Sequence, residues 1–365
     1  MRWTRRGLLA AGATALGGCA SDTETQSRRD EDRARASATV GFVGDAMLGR
    51  GVNDRWTDNE AAGVWGSTIE RLQALDGLVV NLECCIASPE KGERWPGKTY
   101  YFRAEPDFAV PALEAANVSV AALANNHLLD FGESGLQRTL AHLDKAGIAH
   151  TGAGPNRGTA LEPAVFDPSL TIAVISLTDR WAAYAASEHS PGTAHTPLDR
   201  SAGSTRAIVQ NTLERVETAD PDLVVASLHW GPNWETSPSP TQQAFARWLV
   251  EQGVDVVHGH SAHVLQGVEV YQGRPIIYDA GDFVDDYIHK DGLHNKRSAL
   301  FELVVTDGRL DELRLVPVEI ENKAVSLADA DVSRWVHETI AERSEPFGTR
   351  FERTDDGAVV PLGSC

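Results

Sequence analysis

Five apolar runs in this sequence end in residues able to hold a metal ion or move a proton. Asp45 follows VGFVG, Glu83 follows LVVNL, Asn126 and His127 follow VSVAALAN, and His229 follows LVVASL. The fifth run, from Val254, ends in His258, His260 and His263. Carboxylates, an amide and imidazoles make an oxygen–nitrogen donor set suited to Mn, Fe or Zn. Two carboxylates and several histidines exceed the four ligands of a tetrahedral zinc. The surplus favours two divalent ions about 3.5–4 Å apart, able to activate a water between them. Gly259, Ser261 and Ala262 are small enough for the backbone to turn while the imidazoles converge. Each residue alone has a plainer use: a strand-end aspartate caps a turn, and a single histidine such as His229 hydrogen-bonds in a core. Their coincidence at five strand ends points to one site.

Such residues meet only if the strands share a sheet edge. In open α/β sheets the ligand crevice lies beyond the carboxyl ends of the strands. The sequence predicts strands at 40–45, 77–83, 118–124, 170–177, 222–228 and 254–257. Helices are predicted near 64–75 and over 106–117, 135–146, 205–218, 240–252 and 329–343. Two hairpins follow the histidine cluster, around Gln272-Gly273 and Asp307-Gly308. Residues 86–103 lack periodicity and read as a surface loop, and the end of the chain reads as a polar tail. This rhythm is an α/β core with an added antiparallel portion, without a second domain.

Among smaller candidates, Asp130 could orient the His127 ring or cap the following helix. Arg50 and Arg180 could clamp a phosphate or carboxylate, or form structural ion pairs. Trp230, Trp234 and Trp181 could line a cleft or pack a core. Asp282, in GDF, could be a ligand or a turn residue.

The chain has 365 residues, 42% of them hydrophobic, with a net charge of −19. That composition supports a large core and argues against a nucleic-acid partner, which would need a basic face. Only six residues are lysine, and an acidic, lysine-poor surface suits concentrated salt. At the amino terminus Arg5-Arg6 precedes a twelve-residue apolar run, Gly7–Gly18. The run is short of the ~20 residues that span a bilayer and fits a twin-arginine export signal. Leu16-Gly17-Gly18-Cys19 reads as a lipobox, with Cys19 the lipidated mature first residue. Residues 1–19 are thus expected to be a signal peptide, 20–38 a flexible tether, 39–320 the folded domain, and 321–365 an extension packing on it. The expected location is the outer face of the cell membrane, held by the lipid. Cys84 and Cys85 are neighbours, a poor geometry for a disulfide.

The motifs GDAMLGR (44–50), NLE (81–83), ANNHLLDFG (124–132), HWGPNWE (229–235), GHSAHVLQGVEVYQG (259–273) and YDAGDF (278–283) resemble the CapA-type proteins. These are named for poly-γ-glutamate capsule synthesis and belong to the calcineurin-like metallophosphoesterase superfamily. The resemblance covers about residues 40–320 and implies a four-layer α/β/β/α sandwich. It implies Asp45, Glu83, Asn126, His229, His260 and His263 as ligands to one or two divalent ions, with Glu83 bridging. His127, with Asp130, would be the acid at the leaving group. Arg50 and Trp230 are the candidate substrate contacts. The sequence departs from the superfamily pattern at Met47, where a histidine is usual, at NLE in place of Gly-Asp-x-x-Asp/Asn, and by one extra residue between His260 and His263.

Three functions fit this reading. The first is a metal-dependent hydrolase acting on a phosphoester or a related acyl or amide centre, within cell-surface polymer synthesis. The second is a non-catalytic accessory that binds an anionic polymer beside other envelope biosynthesis proteins. The third is a scaffold with a structural metal.

Overall fold

A computed structural model describes residues 36–88, 93–355 and 357–362. The twin arginine, the lipobox with Cys19 and most of the expected tether lie outside the described residues. In chain order the main strands are β1 (Ala38–Ala46), β2 (Gly77–Leu82), β3 (Val118–Ala122), β4 (Ala149–Thr151), β5 (Ala164–Phe166), β6 (Ile172–Thr178), β7 (Leu223–His229) and β8 (Val256–His260). They continue as β9 (Val268–Tyr271), β10 (Arg274–Ile277), β11 (Asp282–Val284), β12 (Arg297–Thr306), β13 (Arg309–Glu321), β14 (Ala324–Leu327), β15 (Glu352–Thr354) and β16 (Gly357–Pro361). The main helices are α1 (Arg50–Trp56), α2 (Pro106–Ala115), α3 (Gly132–Ala146), α4 (Gly203–Glu217), α5 (Pro240–Glu251) and α6 (Ala330–Ser344).

The first sheet runs β15-β16-β13-β12-β1-β2-β3-β4, with β11 joined to β1 and β14 to β13. The second runs β9-β10-β8-β7-β6-β5. At the centre of each lie parallel strands, β1·β2·β3 and β6·β7·β8, so their carboxyl ends share an edge.

Strand alternation assigns the layers. In β6 and β7, Ile172, Val174, Leu223 and Val225 pack with Val40, Phe42, Val79 and Val120 of the first sheet. Their neighbours Ala173, Ile175, Val224 and Ala226 face outward onto Val209 and Val216 of α4 and Phe245 and Leu249 of α5. The outer face of the first sheet, through Val80 and Ala121, meets Phe108 of α2 and Leu136 and Leu143 of α3. The fold is therefore an α/β/β/α sandwich, the architecture expected from the sequence.

Local chemistry sets the joins. Ser239 and Gln242 form a reciprocal capping box at the start of α5, and Pro240 occupies the first turn. Gln272-Gly273 and Asp307-Gly308 each place two successive residues at positive φ, the conformation that closes two-residue hairpins. The helix expected at 64–75 is instead a 3₁₀ turn (Ala61–Thr68) and a short helix (Ile69–Gln73), separated by Gly66 at φ 45°. The end of the chain is no polar tail: β14, β15 and β16 extend the first sheet, and α6 packs Val332, Val336 and Ile340 into the inter-sheet core.

Candidate metal centre

The site forms where the carboxyl ends of the two sheets face each other. On β1, a Cβ at Gly44 would lie 1.8 Å from the Gly281 carbonyl, so only glycine lets the segment before β11 come so near. A bulge at Asp45 then re-aims its side chain, and β11 pairs Asp282 directly with Asp45. A Cβ at Gly259 would lie 2.1 Å from the Tyr278 carbonyl, so the glycine preceding His260 also permits a close backbone approach. Beyond β8, Ser261 and His263 adopt φ of 110° and 59°. On either side of this turn His260 and His263 reach different partners.

Two buried triads result among the described residues: Asp45, His229 and His260, and Asp45, His263 and Asp282. Asp45 is common to both. Its Oδ1 lies 3.6 Å from His229 Nδ1 and 3.5 Å from His260 Nδ1, and its Oδ2 lies 3.1 Å from His263 Nδ1. Asp282 Oδ1 lies 2.9 Å from the same His263 nitrogen. The resemblance gives the bridge to Glu83, whereas the carboxylate common to both triads is Asp45, which the bulge and the β1·β11 pair carry between the histidines. Glu83 stands to one side, its Oε1 3.7 Å from His229 Nε2 and 3.9 Å from His127 Nε2, its Oε2 accepting the Tyr287 hydroxyl at 2.8 Å. Asn126 Oδ1 lies 2.7 Å from His229 Nε2. Met47 is buried in the hydrophobic core on the helix side.

Asp45 Oδ2, Glu83 Oε1 and Asp282 Oδ2 are buried without a hydrogen-bond partner among the described residues. Orphaned carboxylate oxygens are costly in a protein interior, and three converging with imidazoles fit a divalent cation. Burial works against the Asp45 carboxylate, but His229 and His263 outweigh it and hold Asp45 well below the usual range. Burial and the neighbouring Asp45 push Glu83 well up. Burial presses His229 and His260 down, leaving neutral imidazoles with lone pairs to donate.

His127 sits beside this cluster in a frame of its own. Its Nδ1 lies 2.6 Å from Asp130 Oδ2, and its ring stacks on Phe102 with centroids 3.6 Å apart. An acceptor-only carboxylate at Nδ1 assigns the proton there and leaves the Nε2 lone pair facing the site. Asp130 also accepts the Phe102 amide at 2.7 Å, the Tyr184 hydroxyl at 2.9 Å and the Lys98 ammonium. It makes no cap: α3 begins with no side-chain cap. Burial is the main reason that His127 is pressed down to about 4, against the pull of Asp130.

Residues 39–287 match the family described as bacterial capsule synthesis protein PGA_cap. A probable polyglutamine synthesis accessory protein of Mycobacterium tuberculosis is 36% identical over 86% of this chain and 83% of its own. The capsule biosynthesis protein CapA of Bacillus anthracis is 27% identical over 90% and 79%, and the PGA biosynthesis protein CapA of Bacillus subtilis is 28% identical over 77% and 71%. The chain belongs to the bacterial capsule synthesis family.

In this member of the family a cavity of about 290 Å³ opens over the centre, with His127 and His263 in its wall and Arg50, Trp234, Tyr287 and Lys290 around them. Arg50 is in this lining, and is also held by Asp286 (Nη2–Oδ1 2.8 Å). Trp230 is not. It is buried between Phe245 and Tyr278 with its indole N–H donated to the Tyr278 carbonyl at 2.9 Å, so Trp234 takes the place expected of Trp230. Arg180 bonds Asn233, a residue of the cavity wall. His258 lies between the sheets, 2.8 Å from the Val43 carbonyl, and belongs to neither triad, although Ser227 Oγ links it to His260 at 3.2 and 2.9 Å. Three contributors have no role assigned from the sequence. Asn81 donates to Asp45 Oδ1 at 2.7 Å, Asn125 supports Asn81 and the His127 amide, and Lys98 pairs with Asp130. An asparagine inside the apolar run LVVNL was the available signal for the first.

Proposed function

We propose that this protein is a metal-dependent hydrolase of the metallophosphoesterase type, acting in the assembly or trimming of poly-γ-glutamate or capsule. The observation that carries the reading is the pair of triads sharing Asp45, set beside a framed His127. Asp45, His229 and His260, with Asn126 against His229, would hold one ion, and Asp45, His263 and Asp282 a second; Mn, Fe or Zn suits these donors. A bound ion would supply Lewis-acid polarisation and an activated water. The chain does the rest. Asp130 fixes the His127 ring, Nε2 of His127 takes the proton released at the reacting centre and returns it to the leaving group, and Tyr287 orients Glu83. The amino-terminal signal and Cys19 support an exported, lipid-anchored protein working beside other envelope biosynthesis proteins.

The word "accessory" in the name of the Mycobacterium tuberculosis relative favours a second reading, in which the site binds polymer without turnover. One experiment separates them. Purified protein is analysed for metal per chain, then assayed on phosphoester and γ-glutamyl substrates with and without His127→Ala. About two ions, with turnover lost in a folded variant, supports the hydrolase; polymer binding without any turnover supports the accessory role.

A further inference from the structure

The chain is acidic overall, yet three of its six lysines stand in or behind the wall of this cavity. Of six lysines in the sequence, Lys98 pairs with Asp130, Lys290 lines the cavity, and Lys296 pairs with Asp285 beneath Tyr287. Lys98 and Lys296 are committed to buried carboxylates. Lys290 is exposed, lies 4.6 Å over the Trp234 ring, and has no carboxylate partner among the described residues. Arg50 presents its Nε and Nη2 to Asp286, and no described residue accepts from Nη1. A guanidinium anchored along one edge is pre-aimed along the other.

The backbone supports the same residues. Arg50, Trp234 and His263 have φ of 53°, 71° and 59°. Left-handed geometry at an arginine, a tryptophan and a histidine is unfavourable, and such strain collects where side chains must be aimed. The rim is also unusually apolar for exposed surface: Tyr100 is 62% and Ile288 84% exposed. Cations interleaved with exposed apolar side chains suit a ligand that alternates negative groups with methylene segments.

From this we infer that Arg50 and Lys290, on the Trp234 platform, form a carboxylate-binding subsite beside the metal centre, selecting a γ-linked glutamyl chain. The inference rests on the function proposed above. Each residue of such a chain carries one free carboxylate for the cations and two methylenes for the aromatic rim. A phosphoester with a neutral leaving group would engage only the metal centre and leave both cations unused. The subsite also offsets the general repulsion between a protein of charge −19 and a polyanion, by placing Arg50 and Lys290 at the mouth.

The test is binding of a γ-glutamyl decamer to the metal-loaded full chain, by calorimetry and by Trp fluorescence. Its α-carboxamide counterpart, a galacturonate oligomer and inorganic phosphate are the comparison probes. Lys290→Gln and Arg50→Gln are each expected to weaken the glutamyl decamer roughly tenfold while metal content stays unchanged. Lys145→Gln, on the far end of α3, is expected to bind as the parent does. Lys290 is exposed and its variant keeps the test valid even if Arg50→Gln folds poorly. Equal affinity for the carboxamide decamer, a preference for galacturonate, or no effect of Lys290→Gln would overturn the subsite. Charge-selective binding in a protein without turnover would sustain the subsite and remove the hydrolase. Turnover indifferent to both substitutions and to substrate carboxylates would do the reverse.

Discussion

Asp45 and Asp282 stand opposite each other across the parallel β1·β11 pair, and their carboxylates flank a single nitrogen, His263 Nδ1, at 3.1 and 2.9 Å. Two acids on one imidazole nitrogen are stable only with a positive charge between them, supplied by a proton on the ring or by a cation that replaces it. Burial opposes a charged ring here, but Asp282 and Glu83 prevail and raise His263 well above its ordinary value.

Replacing Asp282 with asparagine should therefore remove one ion and spare the other. The expected result is a fall in bound metal from about two per chain to about one, with the remaining ion retained by Asp45, His229 and His260. Asp45→Asn should lose both. Elemental analysis after dialysis against metal-free buffer reads the difference.

Chelation should lower the melting temperature of the intact chain. The triads take Asp45 and Asp282 from the first sheet and His229 and His260 from the second, so metal bound to the native state stabilises by mass action. At a free-metal concentration of a hundred times Kd this is about 2.7 kcal/mol. Thermal melts with and without EDTA measure it, and an unchanged melting temperature would refute the two-sheet metal centre.

Lys98 is 5% exposed at its side chain and pairs with a fully buried Asp130. Lys98→Met should cost about 3–5 kcal/mol in urea unfolding, because it strands a buried carboxylate. Lys98→Arg should recover part of that loss.

Trp230→Ala should behave as a core truncation. A loss of about 3–5 kcal/mol in stability, with ligand affinity unchanged, is expected from denaturation and binding titrations; Trp234→Ala should show the opposite balance.

His337, on α6, gives a pH prediction away from the metal centre. Burial first, and the Arg353 guanidinium second, hold it below its ordinary 6.5, and its Nε2 has no hydrogen-bond partner among the described residues. The folded state thus binds its proton less tightly than the unfolded chain. Its contribution to stability is complete above about pH 6.5 and is lost as pH falls through the lower folded value. Between pH 7.5 and 5, His337→Leu should lose less stability than the parent in paired urea titrations.

The sequence was most informative where apolar runs stop abruptly. Asp45, His229 and His260 could be assigned to one edge because strand ends in open sheets share it. Residues whose placement depends on a bend were harder to read. Asp282 lies in a three-residue strand whose partner is 237 positions earlier, and nothing local marks it as the mate of Asp45. Lys98 sits in an aperiodic loop, where a lysine looks like solvated surface. Trp230 and Trp234 differ only in what the Gly231 turn does after β7. Strand β15 escaped notice because Glu352, Arg353 and Thr354 are all exposed, so burial leaves no alternation to detect.

The contact from His258 Nε2 to the Val43 carbonyl ties β8 to β1 across the sandwich, each residue directly preceding a glycine, Gly259 or Gly44. It fixes the distance between the two half-sites independently of any ion. Sliding one sheet past the other would break this tie and separate Asp45 from His229 and His260 in the same movement. The spacing of the centre is therefore inherited from the whole inter-sheet core, and a substitution at Phe42, which packs 5.4 Å from the His258 ring, would register as a change in metal affinity although it touches no candidate ligand.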